Sequence, residues 1–293
     1  MDWQEDKASI TVAGLIHKTL DRLTPTERKI ATMLLSNYPF PGLETVAQLA
    51  KLGGVSNPTV LRLTTKLGFA NYADFQSALR SELQARGATP LARGNAEPAA
   101  LDAEADFLRR YQHSVVGVIE NSLRTISRTA FDATVALLSD TKRPVHLIGG
   151  RLTESLASQM CNHLRLLRPR VNRVLHASAV ASEDIVDFDR RTVLVVFDIR
   201  RYQPAVIKLA QEAHRRGASV ILFTDAWLSP ISAFANHVFA VETEVSSNWD
   251  SFAPFSALIE ALVASLSEQN WAVVRKRMND IRDIRIALGD DIP

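Results

Sequence analysis

The chain has 293 residues, room for two domains, and its 46% hydrophobic and 23% charged residues suit folding around apolar cores rather than disorder. A formal net charge of +2 excludes a polycation, so contact with nucleic acid has to come from local charge. One cysteine, Cys161, excludes a disulfide framework or a cysteine-built zinc site, and no apolar run approaches the roughly 18 residues of a membrane span.

In chain order, the acidic and polar start Met1–Asp6 lacks the basic-then-apolar pattern of a secretory signal, so a cytoplasmic location and no membrane partner are expected. From Ser9 to Arg86 the apolar spacing is that of short helices. Ser9 can cap a segment carrying Ile10, Ala13, Leu15, Ile16 and Leu20. Thr24-Pro25-Thr26-Glu27 starts the next helix: Thr24 and Glu27 can satisfy each other's amides, and Pro25 sits where no amide partner is lost. Ile30, Ala31, Leu34 and Leu35 follow on one face, until the prolines in Asn37–Gly42 end the helix.

Thr45–Leu52 predicts a short helix with Val46, Leu49, Ala50 and Leu52 buried, followed by the tight turn Gly53-Gly54-Val55. Ser56 can cap a second helix that runs to Leu67 and stops at Gly68. Val60, Leu63 and Leu67 share its core face, while Asn57, Thr59, Arg62, Thr65 and Lys66 lie opposite. Helix, glycine turn, helix is the arrangement that places a second helix in a DNA major groove, although an ordinary solvated helical hairpin has the same pattern. Asn57 and Arg62 have side chains suited to base edges; Ser56, Thr65, Lys66 and Lys51 suit phosphates. No acidic residue falls between Glu44 and Asp74, as a phosphate-facing element requires.

Residues 87–100 contain breakers and little hydrophobic pattern and read as a linker, dividing a helical domain (1–86) from a second domain (101–293). Helices are expected over about Asp102–Ser127 and Thr129–Ser139. The period then changes to short apolar runs at Val145–Ile148, Val193–Phe197, Ser219–Phe223 and His237–Val241, with Val171–Leu175 weaker. Helical segments at Thr153–Leu167, Gln203–Arg216 and Ile231–Asn236 alternate with them, and helices at about Asp250–Gln269 and Trp271–Leu288 close the chain. The fold class expected is therefore an all-α helix-turn-helix domain followed by an α/β domain with a parallel sheet.

Two strand ends carry candidate chemistry. Val145-His146-Leu147-Ile148-Gly149-Gly150-Arg151-Leu152-Thr153 reads as strand, glycine turn, helix start, where backbone amides can hold an anion, or where the glycines only make the turn. After the third strand comes Phe197-Asp198-Ile199-Arg200-Arg201-Tyr202-Gln203. Either Arg200 or Arg201 grips an anionic ligand with Asp198 orienting it, or Asp198 and an arginine form a structural pair. Arg165, Arg168, Arg170 and Arg173 read as cations complementing a helix C-terminus, and Cys161 as buried and inert. No metal-ligand spacing, catalytic triad or Gly-x-Gly-x-x-Gly pattern is present, so neither a metal nor a cofactor is expected.

Leu23–Ala31, Val55–Leu63 with Lys66–Phe69, and Asn71–Phe75 together resemble the DNA-binding domain of the RpiR-type (MurR/RpiR) regulators over most of residues 9–85. The resemblance implies a second domain of the SIS (sugar isomerase) fold, which usually binds phosphosugars and usually self-associates. Gly149, Gly150 and Thr153 sit at the family's Gly-x-Gly-x-Ser/Thr loop, with the second glycine displaced and Arg151 in its place. Leu228-Ser229-Pro230-Ile231 resembles the segment after the family's fourth strand, which adds Ser229 to the effector-binding candidates. The family's Ser-x-Ser-Gly-x-Thr loop is replaced here by Asp198–Gln203, with Asp198 in place of the first serine.

The function these readings imply is a non-enzymatic, sequence-specific transcription regulator. Its partners would be double-stranded operator DNA, a small anionic effector (a phosphosugar or another anionic metabolite) and further copies of itself, as a homodimer or homotetramer. The alternative is a sugar-phosphate isomerase with an accessory helical domain.

Overall fold

The computed structural model describes residues 11–36, 38–86, 106–174 and 180–289; the expected linker at 87–100 and the cap at Ser9 lie outside them. The first part is helical: α1 (Val12–Thr19), α2 (Pro25–Ser36), α3 (Phe40–Leu43), α4 (Val46–Gly53), α5 (Asn57–Lys66) and α6 (Tyr72–Arg86). Helix α2 begins as the capping pattern requires: the Thr24 amide donates to Glu27 Oε2 at 2.8 Å and the Glu27 amide to Thr24 Oγ1 at 3.4 Å. Thr45 and Gln48 form the same reciprocal box at the start of α4. The proline-rich stretch expected only to end α2 also makes one turn of helix, α3, because Pro41 sits where no amide partner is needed. Ile30, Leu34, Leu49, Val60, Leu63, Phe75 and Leu79 close a common core.

The second part starts with α7 (Phe107–Thr125) and α8 (Arg128–Ser139). Five parallel strands follow: β1 (Val145–Gly149), β2 (Val171–Arg173), β3 (Val193–Phe197), β4 (Ser219–Asp225) and β5 (His237–Val241), in the order β2-β1-β3-β4-β5. Both faces of the sheet are covered, which is why the strands read as continuous apolar runs. Val145, Leu147, Val195, Phe197, Ile221 and Phe223 face α8, α9 (Glu154–Leu167) and α12 (Ala253–Gln269). Their alternates Ile148, Leu194, Val196, Val220 and Leu222 face α11 (Pro204–Arg215). Helix α13 (Trp271–Ala287) follows α12.

Two elements differ from the sequence expectation. The helix expected at Ile231–Asn236 is a 3-10 turn over Pro230–Ala233, started by Ser229, whose Oγ accepts the Ile231 amide at 3.2 Å. A short helix, α10 (Val180–Val186), lies between β2 and β3 where none was expected. Arg168 is 3% exposed and donates to the Leu138, Arg143 and Pro169 carbonyls, so it ties the end of α8 to the turn before β1. Burial pushes its pKa down to about 10, still charged at neutral pH.

Candidate functional site

The first candidate surface is the outer face of α5. Val60 and Leu63 point into the core, and Gly54, in the left-handed conformation at φ 59°, makes the turn that sets α5 across α4. Ser56, Asn57, Arg62, Thr65 and Lys66 are exposed, with Lys51 exposed in the last turn of α4.

Thr59 departs from the set. It is 4% exposed, its Oγ1 lies 2.9 Å from Ser56 Oγ, and it accepts a hydrogen bond from Arg62 Nη2 at 3.1 Å. It therefore props Arg62 from below and does not reach a groove itself. The same contact draws the Ser56 hydroxyl away from the helix amides, so Ser56 occupies the cap position without making a side-chain cap.

Lys66 Nζ lies 2.7 Å from Glu27 Oε2, a carboxylate that is 2% exposed. Burial opposes ionisation of Glu27, but hydrogen bonds from Lys66 and Thr24 outweigh it and hold its pKa below the ordinary value. The stretch without acids in sequence is thus not free of acids in space, because α2 brings Glu27 beside α5. Leu61, 45% exposed on the outer face of α5, belongs to the same surface and was missed because apolar residues in a helix are read first as core.

The second candidate site is the crevice at the carboxyl ends of β1, β3 and β4. A Cβ on Gly149 would lie 2.4 Å from the Thr153 carbonyl oxygen, so glycine is required there by close approach of the backbone. Thr153 Oγ1 accepts the Gly150 amide at 2.6 Å and donates to the Phe197 carbonyl at 2.7 Å, pinning the β1 turn to the end of β3. Glu154 accepts the Gly149 amide at 3.3 Å and pairs with Arg173 at 3.3 Å.

Asp198, 2% exposed, accepts from Ser229 Oγ at 2.5 Å and from the Gln203 amide at 3.3 Å. Asp225 is fully buried at the end of β4 and accepts from the Arg200 amide, the Tyr202 hydroxyl and the Trp227 amide at 2.5, 2.6 and 3.0 Å. Burial pushes the Asp225 pKa up, and those donors pull against it.

The arginines divide. The Arg200 side chain is 8% exposed, 2.7 Å from Glu244, 3.7 Å from Asp250, and stacked over Trp227 at 5.8 Å. Its Nε and Nη1 are buried and donate no hydrogen bond. Arg151 and Arg201 are exposed on the rim, and Arg201 holds φ 69°. The fold thus gathers Gly149, Gly150, Thr153, Asp198 and Ser229, leaves Arg151 and Arg201 at the mouth, and turns Arg200 toward the loop after β5. Asp225, Glu154 and Glu244 were missed; a carboxylate ending an otherwise apolar strand was the available signal for Asp225. Among the described residues, no helix is long and apolar enough to cross a membrane, and no group of three or more acidic, histidine or cysteine residues is placed to hold a metal.

Comparison with known proteins agrees with both parts. Residues 10–86 match the helix-turn-helix domain of the rpiR family, and residues 137–265 match the SIS domain. The regulator HexR of Pseudomonas aeruginosa is 24% identical over 250 residues, spanning 84% of each chain. HexR of Escherichia coli is 22% identical over 281 residues, spanning 92% of each. Among solved structures, Vibrio vulnificus NanR complexed with ManNAc-6P is 18% identical with a TM-score of 0.54, covering 95% of this chain and 99% of that one. The sugar isomerase domain of an RpiR transcription factor from Sphaerobacter thermophilus is 15% identical with a TM-score of 0.56, covering 60% of this chain and 97% of its own. At these identities the two structures carry the fold alone. With the rpiR-type reading head and the SIS domain joined in one chain, and regulators as its relatives along most of its length, the protein belongs to the RpiR-type transcription regulators.

Proposed function

We propose that this regulator reads operator DNA with Asn57 and Arg62 of α5, steadied on phosphates by Lys51, Ser56, Thr65 and Lys66, and that a small anionic metabolite in the sheet crevice adjusts that binding. The observation that carries the DNA reading is the exposed outer face of α5, with Arg62 held ready by Thr59. A guanidinium pre-set by a buried hydroxyl loses less rotamer freedom when it forks onto a base. Leu61 adds an apolar contact of the kind that meets a thymine methyl.

For the effector, support comes from Arg151 and Arg201, exposed at the mouth of the crevice, whereas Arg200 is turned onto Glu244 and Asp250 and leaves the effector set. Asp198 already takes the amide and hydroxyl that a phosphate would use, so the anion is held toward the rim rather than in the β3–α11 turn. A phosphosugar, the class found with NanR, or another small carboxylate or phosphate fits this charge. The role is regulatory rather than catalytic, and the curated relatives, themselves regulators, support that.

The reading also divides the chain into a DNA-binding domain to residue 86, a linker at 87–100 and an effector and assembly domain beyond it. Pull-down of fragmented genomic DNA by the purified protein tests the function. A shared, two-fold symmetric motif is the expected result. No enrichment at low salt from folded protein would overturn the DNA reading.

A further inference from the structure

The stretch from Asp225 to Ile231 touches both functional regions at once. On one side it closes the crevice: Asp225 receives the Arg200 amide and the Tyr202 hydroxyl, and Ser229 donates its hydroxyl to Asp198. On the other side it enters the reading head. Leu228 is 4% exposed and packs in the apolar cluster of Ile30, Leu34, Leu49 and Val60, not in either core of the sheet domain. Thr11 Oγ1 donates to the Ala226 carbonyl, and α2 lies along the Pro230–Ala233 turn.

The backbone of this stretch is held in an unfavourable shape. Leu228 has φ 54°, a region that suits glycine and penalises a side chain with a Cβ. The Leu228 amide donates to the Asp225 carbonyl at 3.1 Å, the Ser229 amide to Thr224 Oγ1 at 3.0 Å, and the Ser229 hydroxyl to Asp198 at 2.5 Å. A leucine in a glycine-like conformation, flanked by bonds into the crevice, has its side chain delivered to the head by those bonds.

We propose that Leu228 is a positioning residue: the Asp198–Ser229 bond in the crevice sets Leu228, and Leu228 sets how firmly the reading head is held on the sheet domain. A ligand group that competes for Asp198 or Ser229 releases this plug. Coupling between sites needs an element that both sites can bias, and this short stretch, strained and bound on both sides, is one. The inference rests on the crevice being the effector site, but its test needs neither DNA nor effector.

Hydrogen exchange followed by mass spectrometry on the full chain gives that test, with Leu228→Ala, Ser229→Ala and Asp198→Asn compared with the parent. In Leu228→Ala the amides of α1 and α2 are expected to exchange about tenfold faster. In Ser229→Ala the same amides speed up about as much, the factor carried by one lost charge-assisted hydrogen bond, although the deleted hydroxyl lies in the crevice. Strands β1, β3 and β4 stay protected. Faster exchange of the head in Leu228→Ala alone would reduce the plug to a local docking contact and overturn the coupling. No change in any variant would show that Leu228 does not position the head. Should Ser229→Ala loosen the strands as well, Asp198→Asn with protected strands decides: a faster head supports the coupling, an unchanged head overturns it. Any of these failures leaves DNA binding, tested by the pull-down, untouched.

Discussion

At the scale of single residues, two cations of the candidate DNA surface are held by buried side chains. Thr59 and Glu27 are both buried, and each holds one cation of the outer surface, Arg62 and Lys66. Replacing Arg62 by Ala is expected to weaken binding to a recovered operator by about 1–3 kcal/mol, roughly five- to 150-fold, with an unchanged circular dichroism spectrum. Fluorescence anisotropy reads the affinity, and an unaltered titration would remove Arg62 from the base-reading set.

Glu27 adds a pH dependence. Its pKa in the folded chain lies below its ordinary value of 4.5, so its stabilisation is full above that value and is lost as pH falls through the lower, folded pKa. Urea unfolding between pH 3 and 6 should show this acid-side loss in the parent and a flatter profile in Glu27→Gln. Equal slopes in the two proteins would mean that the Lys66 pair adds nothing to stability.

At the scale of elements, the turn between β1 and α9 is the least tolerant part of the crevice. Gly149 has no room for a Cβ against the Thr153 carbonyl, and the obstacle is backbone rather than a movable side chain. Gly149→Ala is therefore expected to cost about 1–3 kcal/mol, as overpacking does, and to lower Tm by several degrees. Calorimetry checks this, and an unchanged Tm would show that the turn relaxes. The resemblance places a phosphate-binding loop after β3, but there Asp198 supplies the negative charge from within the chain and spends the Ser229 hydroxyl and the Gln203 amide on it. That exchange is a matter of packing as much as of charge, since Asp198 is buried.

At the scale of the whole molecule, one helix has far more apolar surface than its own chain covers. Along α13 and just beyond it Trp271, Val273, Met278, Ile284, Ile286 and Leu288 are exposed, and Val274 is the buried residue of the helix. Arg275, Lys276 and Arg277 lie toward its start, while further along Asp280 and Asp283 are balanced by Arg282 and Arg285, with Arg282 3.1 Å from Asp283, so the exposed apolar residues rather than charge are what a second copy would cover. We expect the protein to sediment as a dimer or tetramer and Ile284→Glu to shift it toward monomer. A monomeric parent would exclude self-association as the cover for these residues.

Local chemistry in the chain was enough for much of this protein. The Thr24–Glu27 box, the glycine turn at Gly54 and the apolar strand runs each depend on residues a few positions apart, so they were legible before any fold was known. The candidate DNA surface was legible for the same reason, because a helix face follows from spacing alone. What spacing could not reach were pairings between distant segments. Glu27 meets Lys66 from 39 residues away, Asp198 meets Ser229 across 31, and Thr11 meets Ala226 across 215. Those contacts bury charge and fill a core from two domains at once, and only the packed chain decides which carboxylate finds which donor and where Leu228 comes to rest.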